Sequence, residues 1–155
     1  MKQITISLFL LVSFLSQLQA QNQAKENAAV IAPIKQLFEG MMNKDTNAIK
    51  AVFHPDATLN TVQVNKEGKA KYSNTPIEQF ITGIGKIPTK QKLEEKILSY
   101  EVKVDGNLAS VWTPYEFYFS EQFSHCGVNV FTLFKSEEGW LITAITDTRR
   151  REGCQ

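Results

Sequence analysis

Two cysteines and two histidines are all that the 155 residues contain of either type. The histidines have no H-x-x-x-H spacing, so His54 with Asp56, joined by His125 as a third ligand, makes a poor donor set for a metal. No phosphate-cradling glycine loop and no internal repeat occur. No metal or cofactor is therefore expected. Charge of one sign is also lacking: seventeen basic residues face sixteen acidic ones, a formal net charge of +1. That balance excludes the electrostatic footprint of a nucleic-acid-binding protein. The only basic run, Arg149-Arg150-Arg151, reads as a solvated tail.

A second long hydrophobic run is missing, and the first lies at the N-terminus. Lys2 gives a positive n-region, Ile4 to Leu15 is apolar apart from Thr5, Ser7 and Ser13, and Ala20 offers a small residue for cleavage before Gln21. This is the pattern of a secretory signal peptide over residues 1–20, too short for a membrane span. The expectation is a secreted or periplasmic protein with no membrane attachment once the signal is removed. Residues 21–155, roughly 135 in number, suit one domain with a sizeable core.

Export places Cys126 and Cys154 where pairing is the default, and only one intramolecular disulfide is open to them. The alternative is a free, nucleophilic Cys126 beside His125. Neighbouring residues on a strand point to opposite faces, which leaves His125 badly placed as its base.

The polar residues 21–28 read as a frayed lead-in. From Val30, apolar positions at Ile31, Ile34, Leu37, Phe38 and Met41 mark one face of a helix, with Pro33 tolerable only in its first turn. Thr46 caps a second helix through Ile49, Val52 and Phe53. His54-Pro55-Asp56 stops it, with His54 suited to the last carbonyls. Ala57 to Val64 alternates as a strand, and Asn65-Lys66-Glu67-Gly68 turns it into a short return strand. Thr75-Pro76-Ile77-Glu78 then predicts a capped third helix ended by Gly83 and Gly85. The pairs Glu94-Glu95 and Glu137-Glu138 read as solvated links and turns.

The remainder is strand. Asp105-Gly106 signals a two-residue hairpin that places Val102 across from Ala109 and Tyr100 across from Val111. Alternation then puts Val111, Thr113, Tyr115 and Phe117 on the same face as Tyr100. A three-residue turn at Ser120-Glu121-Gln122 sets Phe117 opposite His125 and Thr113 opposite Asn129, with Phe131 following. A five-residue loop around Ser136–Gly139 adds Thr143, Ile145 and Asp147, whereas a four-residue loop would reverse that last strand. The other face carries Trp112, Val128, Val130, Trp140, Ile142 and Ala144. It is too apolar for water and predicts a homodimer through the sheet, or cover by the C-terminal tail.

Helix, helix, hairpin, helix and a long meander make an α+β fold, with three helices on one face of a curved antiparallel sheet. With the phrases FEGMMNKDTNAIKAVFHPDA and GWLITAITDTRR, this order resembles the nuclear transport factor 2-like superfamily, and within it the secreted bacterial branch labelled putative lumazine-binding. The resemblance covers roughly residues 24 to 154. It implies a cone-shaped fold with a pocket at the open end and frequent dimers through the sheet. Its relatives include isomerases, dehydratases, cyclases and proteins without catalysis, so fold analogy does not fix the function. Ketosteroid isomerases share the cone and use an aspartate base facing a tyrosine and a protonated aspartic acid. Laying that pattern on this chain puts the base near Asn60 or Thr61 and the tyrosine among Ile34 to Phe38, where none stands, which disfavours that chemistry.

The expected pocket is walled by Phe38, Tyr100, Phe117 and Phe131, with Tyr115, His125 and Asn129 as polar contacts for a small organic ligand, aromatic in character. His125 and Asp147 are the candidate catalytic residues, as a base oriented by a carboxylate. The expected function is binding of a small molecule in the pocket. The rivals are a hydratase, isomerase or cyclase using that pair, and a dimeric interaction module with a vestigial pocket.

Overall fold

A computed structural model describes residues 2–65 and 67–154, with side chains from Gln17 onward. The signal-peptide reading thus falls mostly on side chains outside the described residues. Helix α1 spans Lys2–Asn43 and α2 spans Thr46–Ala51. Strands β1 (Phe53–Val64) and β2 (Ala70–Pro76) form a hairpin that leads into α3, Ile77–Gly85. The remaining strands are β3 (Leu93–Ile97), β4 (Glu101–Asp105), β5 (Leu108–Phe119), β6 (Gln122–Ser136) and β7 (Gly139–Arg149). They form one seven-stranded sheet in the order β2-β1-β7-β6-β5-β3, with β4 also paired to β5. All pairings are antiparallel except the parallel β1–β7. The fold is α+β, with helices packed on one face of a curved, unclosed sheet.

Residues 21–28 are helical rather than frayed. Glu26 fastens this turn to the sheet by accepting from Lys135 Nζ at 2.6 Å and Trp140 Nε1 at 3.0 Å. Pro33 consequently lies deep inside α1, not in its first turn. An internal proline costs a helix about 3 kcal/mol. Val30, Ile34 and Leu37 on the same helix are fully buried against the sheet. Each contributes about 1.5–3 kcal/mol, so packing outweighs the break.

Helix α1 ends in a Schellman motif: Lys44 takes φ 56°, its N–H reaches the Met41 carbonyl, and the Asp45 N–H reaches that of Gly40. Asp45, not Thr46, then caps α2, its Oδ1 accepting from the N–H groups of Asn47 and Ala48. His54 does not serve the last carbonyls of α2. Its Nδ1 accepts from the Asp56 N–H, and β1 has already begun at Phe53. Thr75 does not cap α3 either, because β2 pairing with β1 claims it opposite Leu59. In the β1–β2 turn, Lys66 lies outside the described residues, and Asn65 Oδ1 accepts from the N–H groups of Glu67 and Lys69.

The meander keeps the expected inward face but reaches it by other turns. The β4–β5 turn centres on Gly106-Asn107, so Val102 pairs with Val111, two residues from the expected partner and on the same face. Phe117 does face His125 and Thr113 does face Asn129. The turn is a two-residue one at Ser120-Glu121, both with positive φ, and a bulge at Ser124 restores the parity. Asn129 pairs with Asp147 and Phe131 with Ile145, while a second bulge at Thr143 corrects a two-residue turn at Glu137-Glu138. That bulge turns Ile142 and Trp140 inward, against expectation, and both are buried. Phe134, Leu141 and Trp112 face outward instead, with Trp112 left 48% exposed.

Candidate functional site

Strands β3 and β4 are two halves of one edge strand along β5, broken at residues 98–100. In β3, Leu93, Glu95 and Ile97 pair with Phe119, Phe117 and Tyr115, all on the helix-facing side. Glu95 therefore points into the fold, which corrects its reading as a solvated link. Between this edge, the helices and β7 lies a cavity of about 300 Å³. Its walls are apolar: Leu37, Phe38 and Met41 from α1, Phe80 and Ile84 from α3, and Leu59, Phe117, Phe131 and Ile145 from the sheet. Phe38 meets Phe131 edge-on at 6.1 Å between ring centres. The polar side chains Glu95, Tyr115, His125, Asn129, Asp147 and Arg149 also line it.

Six of the expected lining residues, Phe38, Tyr115, Phe117, His125, Asn129 and Phe131, border this cavity. Tyr100 does not. It borders a separate open cleft of about 310 Å³ with Lys35, Glu39 and Glu94, to which Phe38 and Glu95 also contribute. Tyr100 lies in the break between β3 and β4 and packs against the core from that cleft.

Asp147 is buried and surrounded by donors. Thr61 Oγ1 donates to its Oδ1 at 2.5 Å, and Arg149 Nε donates to its Oδ2 at 2.6 Å. The Tyr115 hydroxyl stands 3.4 Å from Oδ2 and 3.0 Å from the Thr148 carbonyl, and its single proton favours the shorter contact. Burial first, then the nearby Asp147 and Glu95 charges, push the Tyr115 phenol well above its ordinary range, so it stays a neutral donor. Gly127 makes room for this arrangement: a Cβ there would stand 1.8 Å from the Thr148 carbonyl oxygen and 3.0 Å from the Tyr115 ring.

His125 and Asp147 do not form the expected dyad. Among the described residues, no hydrogen bond or ion pair joins them. The His125 Nδ1 pairs with Ser124 Oγ at 3.0 Å, and its ring lies against Phe117 and edge-on to Tyr115. Burial lowers the His125 pKa, the Arg149 guanidinium lowers it further, and Asp147 opposes both.

Glu95 has a different setting from Asp147. Among the described residues one donor reaches it, Asn129 Nδ2 to Oε1 at 2.7 Å. Desolvation raises its pKa to about 7. The Asn129 bond opposes the rise, the Asp147 charge adds to it, and Arg149 reduces it. The clue in the sequence was Leu93-x-Glu95-x-Ile97, a carboxylate between two apolar residues at strand spacing.

A family model described as "Putative lumazine-binding" matches residues 25–146. The chain belongs to this family. Its fold is that of solved structures from the nuclear transport factor 2-like superfamily. A nuclear transport factor 2-like protein of unknown function from Shewanella baltica is 16% identical, with a TM-score of 0.62 over 83% of this chain and 97% of its own. A "putative dehydratase" of that superfamily from Streptomyces avermitilis is 12% identical, with a TM-score of 0.61 over 83% and 98%. A "putative aromatic ring hydroxylase" from Novosphingobium aromaticivorans is 16% identical, with a TM-score of 0.60 over 81% and 90%. At such identities the likeness carries the fold and not the chemistry. No curated protein matches the sequence significantly.

Proposed function

We propose that this chain is an exported small-molecule-binding protein. Residues 1–20 direct it to the periplasm or the exterior, and residues 21–155 form one domain whose cavity takes a small aromatic ligand without doing chemistry on it. The observation that carries this reading is the cavity itself: about 300 Å³, mostly apolar walls, and a limited polar set. That is the composition of a ligand pocket, in which apolar surface supplies affinity and a few polar atoms fix orientation. The family's description, which names lumazine binding, supports a small ligand. The rival enzyme reading rested on His125 oriented by Asp147, and Asp147 is instead occupied by Thr61 and Arg149. A second copy pairing through the outward face of the sheet, around Trp112 and Phe134, completes the proposal.

A thermal-shift screen of small heteroaromatic compounds tests it. A ligand at a hundred times its Kd stabilises the folded state by about 2.7 kcal/mol. Wild type should respond, and Leu59→Trp, which fills the cavity from the β1 side, should not. If no compound shifts the wild-type Tm more than it shifts that of the variant, the pocket is not a binding site.

A further inference from the structure

Glu95 and Asn129 sit side by side on the cavity wall, and each has one polar atom already used. Asn129 Nδ2 donates to Glu95 Oε1. Glu95 Oε2 and Asn129 Oδ1 have no partner among the described residues. No fully buried side-chain polar atom among those residues lacks a partner, so these two atoms open onto space rather than into packed protein. Both residues line the same cavity. Because Oε1 is the acceptor for Asn129, the proton of a neutral Glu95 belongs on Oε2. The pair then presents an O–H donor next to a carbonyl acceptor.

We propose that Glu95 and Asn129 form a reading edge for a neutral amide or lactam, whose C=O accepts from Glu95 Oε2–H while its N–H donates to Asn129 Oδ1. This rests on the binding reading above and adds the chemical class of the ligand and the residues that select it. An anionic, acceptor-only edge offers no donor to Asn129 Oδ1. A cationic, donor-only edge requires Glu95 to be ionised.

The charged and titratable groups facing Glu95 are Asp147 and Arg149 from β7, His125 from β6 and Tyr115 from β5, with Lys35 and Glu39 of α1, Tyr100 and the neighbouring Glu94 on the outer cleft. Asp147 and Arg149 are paired with each other. With desolvation holding the Glu95 pKa to about 7, the neutral donor form predominates at pH 6 and is the minor one at pH 8. The apparent affinity scales with that competent fraction, a change of about tenfold across the two pH values.

The test uses four probes of similar size: 2-pyridone as the lactam, benzamidine as the cation, benzoate as the anion and toluene as a reporter of the apolar cavity. Amide chemical shifts are followed by NMR at pH 6 and pH 8 in wild type and Glu95→Gln. The expected result is that 2-pyridone binds in preference to benzamidine and benzoate, and that its Kd rises about tenfold from pH 6 to pH 8. In Glu95→Gln, whose amide donates at every pH, that dependence disappears and binding persists. Toluene binding with no preference for 2-pyridone, or with a 2-pyridone Kd unchanged by pH, overturns the reading edge and leaves the pocket standing. Failure of toluene and 2-pyridone alike overturns the pocket as well.

Discussion

The Asn129 side-chain amide donates to Glu95 Oε1 at 2.7 Å, joining strands that are not neighbours in the sheet. Strand β5 lies between them, and the curvature of the sheet brings the two residues together over it. This contact separates the two carboxyl groups of the cavity chemically: Asp147 is held by Thr61 and an arginine, Glu95 by a single amide.

Glu95 should make stability fall with rising pH. Its folded pKa, about 7, lies above the ordinary glutamate value of 4.5. Below pH 4.5 both folded and unfolded states are protonated and Glu95 carries no penalty. Between that value and 7 the unfolded state ionises first, and stability is lost until the folded group has also ionised. The full loss is about 3 kcal/mol. Glu95→Gln should therefore raise stability by up to that amount at pH 8 and change it little at pH 4, as read by urea denaturation. Equal effects at both pH values would show that the carboxyl is not desolvated.

The inward positions of Phe117, His125, Asn129 and Asp147 were legible because strand alternation survives a change of turn when a bulge restores the parity. Turn lengths were not legible. Ser120-Glu121 and Glu137-Glu138 each close with two residues, and the compensating bulges at Ser124 and Thr143 have no mark in the local sequence. The second bulge explains why Trp140 and Ile142 were assigned to the wrong face. Glu95 was missed for another reason. Two adjacent glutamates suggested solvent, although Leu93 and Ile97 flank it at strand spacing. The Asp147 partners were hidden too, since Thr61 lies 86 residues away along the chain.

The disulfide makes a separate prediction. Cys126 is bonded to Cys154, 28 residues later, and ties the C-terminal tail to β6 beside the backbone bridge between Cys126 and Arg150. Closing a loop of this length stabilises by about 3–4 kcal/mol in the chain-entropy account. Reduction should lower the Tm and speed amide exchange in residues 150–154. Two thiols titrating in the unreduced native protein would contradict the bond.

Gly127 is required by contact rather than by backbone angle. A methyl group there would overlap the Thr148 carbonyl, which accepts from Tyr115. Gly127→Ala should cost about 3 kcal/mol or more, because the obstacle is backbone of the neighbouring strand and cannot rotate away. A chemical-denaturation loss under about 1 kcal/mol would show that β7 moves aside freely.

The outward face should hold two copies together. Trp112 is 48% exposed and Phe134 44%, on a face shared with Val128, Val130 and Leu141. Sedimentation should find wild type as a dimer and Trp112→Asp as a folded monomer. A wild-type monomer at high micromolar concentration would refute the pairing.

Native mass spectrometry of the protein recovered from the exported fraction of its own host tests the central claim most directly. A single small organic adduct, present in wild type and absent from Leu59→Trp, is the predicted result. Unliganded wild type, or the same adduct retained when the cavity is filled, would contradict it.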